Sequence, residues 1–230
     1  MFNLTLDQLI ATSASVAAGV SAIATFLTVI QISIQRKASY KPELIFARTN
    51  FDQARGEDRN SGNVLLWKSF AVSTYNIGLG SAKNLTINWS FPIEAAVAKV
   101  NSLAALDAKL DAYTLEDDVL SSAEGNATIM ASMWKNQKTQ EIDFALPASI
   151  NDQPIPVNIP HAYLTLWFSY VTSCLRLNRV SSVDDFPPLK AIITFKDVGG
   201  SRHKIKQQFT LNLSSYMHES GAITGYVSGG

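Results

Sequence analysis

Few residues of this 230-residue chain have the types and spacing that chemistry requires. The sharpest pattern is Gly78-x-Gly80-x-x-Lys83. A dinucleotide-binding loop ends in glycine or alanine and opens a helix. Here Lys83 takes the last position and an alternating, strand-like segment follows, so the two glycines are expected to supply positive φ at a tight corner. His161, His203 and His218 show no i, i+4 pairing, and Cys174 has no cysteine neighbour, whereas a zinc site needs three or four converging ligands. Arg176 and Arg179 lie near Cys174, but without a neighbouring base the thiol reads as buried or idle. The acidic pairs Asp117/Asp118 and Asp184/Asp185 fall in loop-like stretches, where carboxylates serve solubility. No Gly-x-Ser-x-Gly elbow is present. Arg202-His203-Lys204 with Lys206 clusters at a predicted hairpin tip, able to meet anionic lipid or phosphate but solvated by default. The expectation is a protein with no catalytic residues, no cofactor and no metal, and not an enzyme.

Composition narrows the class. Nineteen basic residues balance 19 acidic ones, 47% of residues are hydrophobic and only 17% are charged. Disorder needs the opposite balance, and a general nucleic-acid binder needs net basicity. One cysteine excludes an internal disulfide framework.

The charges that do exist avoid the start of the chain. Gln8 to Gln35 is 28 residues without a formal charge. As a helix it would be about 42 Å long, and a bilayer core needs only ~30 Å. We read residues 1–37 as one transmembrane anchor with its flanks. A cleaved signal peptide, with Ala22-Ile23-Ala24 as its cleavage site, is disfavoured because the chain starts acidic at Asp7 and stays apolar past Ala24. A buried helix of a soluble protein is disfavoured because nothing charged marks an outer face. Arg36, Lys37 and Lys41 follow the span, and basic flanks stay on the cytoplasmic side. The N-terminus is therefore expected outside and the bulk of the chain in the cytoplasm. Ala11, Ser15 and Gly19 are spaced by four, as are Ala14, Ala18 and Ala22, a pattern that lets two membrane helices approach. The expected partners are the bilayer, another copy or another membrane protein through this helix, and an unidentified cytoplasmic protein, with no nucleic acid.

The remainder must position whatever the domain does. Leu44–Arg48, Val64–Asn76, Leu85–Phe91, Ala127–Met133, Ile142–Leu146, Ala162–Leu175, Leu189–Phe195 and Lys204–Leu213 read as strands. Tyr163, Thr165, Trp167 and Ser169 alternate within the sixth of these. Asp197–Arg202 reads as a Gly-Gly hairpin turn, and Pro147–Pro160 as an extended edge. Ile93 to Tyr113 switches to helical period, and Val97, Val100, Leu103 and Leu110 make it a candidate docking helix. Five Asn-x-Ser/Thr sequons, at Asn3, Asn84, Asn88, Asn126 and Asn212, matter only in a eukaryotic secretory lumen and read as chance. The fold expected over residues 38–213 is mainly β, a sandwich of about seven to nine strands with the helix near 93–113 inserted, followed by a flexible tail over 214–230.

Three segments carry a resemblance: Gln35-Arg36-Lys37 through Pro42, Tyr75-Asn76-Ile77-Gly78-Leu79-Gly80-Ser81-Ala82-Lys83-Asn84, and Phe195-Lys196-Asp197-Val198-Gly199-Gly200. In order and architecture the chain resembles uncharacterised bacterial inner-membrane proteins with an N-terminal anchor and a cytoplasmic immunoglobulin-like β-sandwich. The resemblance implies a location and a fold, and no activity. The expected function is a single-pass, membrane-anchored, non-enzymatic interaction or ligand-sensing protein. The alternative is a membrane-acting effector, of antiphage-defence or toxin type, that oligomerises through its transmembrane helix.

Overall fold

The computed structural model describes residues 5–53, 70–124, 127–217 and 222–230. It is mainly β, preceded by one long apolar helix, α1 (Leu6–Ser39). The chain continues through β1 (Leu44–Phe46), β2 (Thr49–Gln53), β3 (Ala71–Asn76), β4 (Ala82–Ser90), α2 (Ile93–Ala104), β5 (Tyr113–Glu116), β6 (Val119–Glu124) and β7 (Ala127–Met133). It closes with α3 (Trp134–Gln137), β8 (Thr139–Ala145), β9 (Ile155–Asn158), α4 (His161–Arg176), β10 (Leu189–Lys196), β11 (Arg202–Met217) and β12 (Ala222–Gly229).

A six-stranded antiparallel sheet in the order β2-β12-β11-β10-β4-β8 forms the main wall. Its inner face follows the period-2 rule: Leu189, Ala191, Ile193 and Phe195 of β10 are buried while Lys190 and Ile192 are exposed. A three-stranded sheet, β1-β3-β9, continues this wall. At one corner Ala47 N–H donates to Ser73 O (2.8 Å) and Ser73 N–H donates to Thr49 Oγ1 (3.1 Å). At the other edge Gln140 bridges β8 to β9, its Nε2 donating to Pro156 O (3.3 Å) and its Oε1 accepting from Asn158 N–H (3.0 Å). The two sheets therefore curl together. A separate three-stranded sheet, β5-β6-β7, stands beside α2.

Against the curled wall lies α4, and here the structure corrects the sequence. The segment Ala162–Leu175 is helix, not strand. Every residue from Ala162 to Val171 is buried, so the alternation of Tyr163, Thr165, Trp167 and Ser169 never marked an inside and an outside. Phe51 of β2 meets Trp167 and Phe168 edge-on, with centroids 5.8 and 5.5 Å apart. Such pairs favour T-shaped geometry. With Pro160 as the residue before its first turn, α4 takes its cap from elsewhere: Gln137 Oε1 accepts from Ala162 N–H (2.9 Å).

The described residues hold twelve strands, more than the seven to nine expected. Residues 64–69 of one expected strand lie outside the described residues, and β3 forms its end. The inserted helix stops at Ala104, because Asn101 clasps Tyr113: its Oδ1 accepts from Tyr113 N–H and its Nδ2 donates to Tyr113 O, both at 2.8 Å. Tyr113 thereby opens β5, and Asp117 and Asp118 make the two-residue turn to β6 with φ of 50° and 63°. Two left-handed residues in a row are the signature of the turn that matches strand twist. Where it is described, the expected tail over 214–230 is strand as far as Gly229. β11 runs to Met217 and β12 is inserted between β11 and β2 in the main sheet.

Candidate functional site: the apolar helix and its joint to the β domain

The helix α1 has a 31-residue stretch, Leu6–Arg36, long and apolar enough to cross a membrane, and none of it is buried against the domain. Five of its hydroxyl side chains are satisfied within the helix. Thr12, Ser13, Ser15, Thr25 and Thr28 each donate to a backbone carbonyl three or four residues earlier, at 2.6–2.9 Å. Hydroxyls bonded in this way tolerate hydrocarbon, so their number does not by itself demand a helical partner. Ala11, Ser15, Gly19, Ala14, Ala18 and Ala22 are all exposed, and nothing lies within 4 Å of where a Gly19 Cβ would be. Arg36 and Lys41 are exposed at the helix end, and Lys37 falls within its last turns.

The glycine pattern belongs to this helix end. Gly78 and Gly80 do not have positive φ, correcting the expected corner. They are glycines because the chain leaving α1 presses on them. A Cβ on Gly78 would overlap Lys41 O and the Glu43 nitrogen, and one on Gly80 would overlap Tyr40 O. Asn76, 1% exposed, locks the contact. Its Oδ1 accepts from Glu43 N–H (3.0 Å) and Gly78 N–H (3.2 Å). Its Nδ2 donates to Gly80 O (2.7 Å) and Ala145 O (3.0 Å). Ile77 N–H donates to Glu43 O (2.8 Å), and Ala148 N–H donates to Asn76 O (2.7 Å). One buried amide thus ties the segment after α1 to β3, β8 and the glycine loop. Sequence alone showed the Asn-x-Gly-x-Gly string but not its counterpart at 40–43.

The remaining chemistry-bearing residues are dispersed. Cys174 is buried, and burial pushes its thiol pKa up, away from the thiolate a nucleophile needs. Tyr170 OH donates to Ser182 O (2.8 Å), and burial raises its pKa too. His161 starts α4 with its Nδ1 3.4 Å from Thr165 Oγ1. His203 Nε2 lies 2.9 Å from Asp197 Oδ2, and that bond holds the Asp197 carboxyl below the usual carboxylate range. Asp118 pairs with Lys138 (2.7 Å), and Asp185 O accepts from Lys99 Nζ (2.6 Å). Among the described residues, no group of three or more His, Cys, Asp or Glu is placed to hold a metal. His218, Trp67, Asn3 and Asn126 lie outside the described residues.

The docking-helix expectation is corrected as well. Val97, Val100 and Leu103 are buried, and Leu110 lies beyond the end of α2. The apolar face of α2 packs on the domain, mainly toward α4, and is not free for a partner. A cleft of about 450 Å³ between α2 and the β5–β6 hairpin is lined by Glu94, Asn101, Leu115, Asp117 and Asp118 among others. No protein-family model, no curated protein and no solved structure matches this chain.

Proposed function

We propose that this is a single-pass membrane protein whose β domain binds a partner or ligand at the cytoplasmic face of a bacterial inner membrane, without catalysing a reaction. The observation that carries the reading is α1, charge-free from Gln8 to Gln35 and unburied over Leu6–Arg36, with Arg36 and Lys41 exposed at its end. Among the described residues nothing of the domain covers this helix, and hydrocarbon supplies the surface it lacks. The basic flank supports the cytoplasmic placement. The two curled sheets support a β-sandwich reading of immunoglobulin type, with α4 as an addition to it.

The test is crosslinked affinity capture of the full-length protein from native membranes, with carbonate extraction and protease protection in inverted vesicles. Retention in carbonate-washed membranes, digestion of the domain in inverted vesicles and co-capture of a second protein are expected. Release by carbonate would overturn the anchor, and protection of the domain would overturn its placement. Capture of only further copies of this chain, with loss of membrane potential on expression, would favour the oligomerising effector instead.

A further inference from the structure

We propose that the β domain does not hang free below its anchor but seats one end of its main sheet on anionic phospholipid headgroups of the same bilayer. The inference rests on α1 crossing that bilayer.

Several segments converge at the joint. β4 begins there, two residues after Gly80, whose backbone touches Tyr40. β8 ends there, since Ala82 pairs with Ala145. β10 ends and β11 begins there, since Lys196 pairs with both Lys83 and Arg202. The turn at 197–201 therefore projects past the end of the sheet in the same direction as the glycine loop. This end is apolar where a solvated end should be polar. Tyr40, Ile77, Leu79, Phe144, Ile150 and Val198 are 50% to 71% exposed. They come from five separate stretches of chain, so no single loop accounts for them.

A charged row accompanies this apolar rim. Phe144, Lys83, Lys196 and Arg202 are successive cross-strand partners on β8, β4, β10 and β11. A bulge sets the row up. Asn84 and Leu85 together oppose the single Phe195, and Asn84, at φ 51°, turns Lys83 outward while Leu85 stays buried. Like charges directly opposite one another repel. Among the described residues none of the three cations makes an ion pair, and the nearest turn carboxylate, Asp197, is held by Ser201 N–H (2.8 Å) and His203. An anion from outside the chain resolves the repulsion.

The membrane is the occupant within reach. From Gln35, the end of the charge-free run, to Tyr40 is five residues, or about 8 Å of helix rise. A headgroup layer is roughly 5–8 Å deep on each side of the hydrocarbon. Aromatic and apolar side chains beside lysines and arginine suit that layer.

The experiment uses the full-length chain in phosphatidylcholine vesicles with and without phosphatidylglycerol, carrying a fluorophore on one of three cysteine variants. Ile23→Cys reports the span, Val198→Cys the turn, and Met217→Cys the opposite end of β11. Unmodified protein, with Cys174 buried, gives the labelling background. Nitroxide lipids are expected to quench positions 23 and 198 but not 217. The combined variant K83Q/K196Q/R202Q, or omission of phosphatidylglycerol, is expected to drop quenching at 198 to the level at 217, leaving 23 unchanged. Quenching at 23 with none at 198 would overturn the seat and leave the anchor standing. No quenching at 23 would overturn the anchor and the seat together. Quenching at 198 that ignores both the variant and lipid charge would overturn the anionic-lipid assignment.

Discussion

At the residue scale, Asn76 does the most with one side chain. Its four bonds satisfy backbone groups on three segments, and no other residue type offers two donors and an acceptor of the same shape. Asn76→Ala strands buried donors and acceptors, each costing about 1–3 kcal/mol. We expect a loss of roughly 3 kcal/mol overall, read as a lower unfolding midpoint in detergent. Asp197 sets a pH limit on the β10–β11 turn. Its carboxyl is held below the ordinary value, so its contribution is complete above that value, near pH 4, and is lost as pH falls through the depressed one. Amide exchange in the turn should therefore accelerate in acid, and Asp197→Asn should remove that step. An unchanged acid profile in the variant would assign the effect to another group. The importance of Asn76 was not legible in the sequence. An asparagine among glycines reads as a turn, and its partner, Glu43, is 33 residues away.

At the element scale, α4 and β12 show where patterns mislead. The helix is buried on every side, so the polar spacing that would betray it, His161, Thr165, Ser169 and Ser173 every four residues, competes with an alternation of equal strength. Phe168, fully buried against Phe51 and Trp167, should cost about 3–5 kcal/mol when cut to alanine, measured by denaturant titration. β12 is diluted by Gly225, Ser228 and Gly229 and so reads as a tail, yet it has sheet partners on both edges. Deleting residues 222–230 uncovers β11 and β2 together and should give aggregation rather than a trimmed, soluble domain, visible in size-exclusion chromatography. The Asp197–Arg202 hairpin, β4 and the start of α2 were legible because each has a clean period and a punctuating glycine or proline.

At the scale of the whole molecule, charge decides the layout. The apolar helix was plain from the charge-free run, a signal that needs no tertiary information. The proposed orientation rests on Arg36, Lys37 and Lys41 alone. Replacing all three with glutamine should give a mixed or inverted population, detected with paired C-terminal reporters that are active on opposite sides of the membrane. A single unchanged orientation would mean that folding of the domain before insertion, not flank charge, holds it inside.

On the proposed membrane anchor, the joint makes this molecule a lever. The charge-free run is about 42 Å of helix against ~30 Å of hydrocarbon, a mismatch that a membrane helix relieves by leaning. A loosely tethered domain would ignore the lean. Here the chain passes from α1 through Pro42, which is buried, into a backbone contact too close to admit a methyl group. On the membrane-anchored reading, the segment that ends the shaft is part of the head, so a bilayer of different thickness is expected to load this joint first.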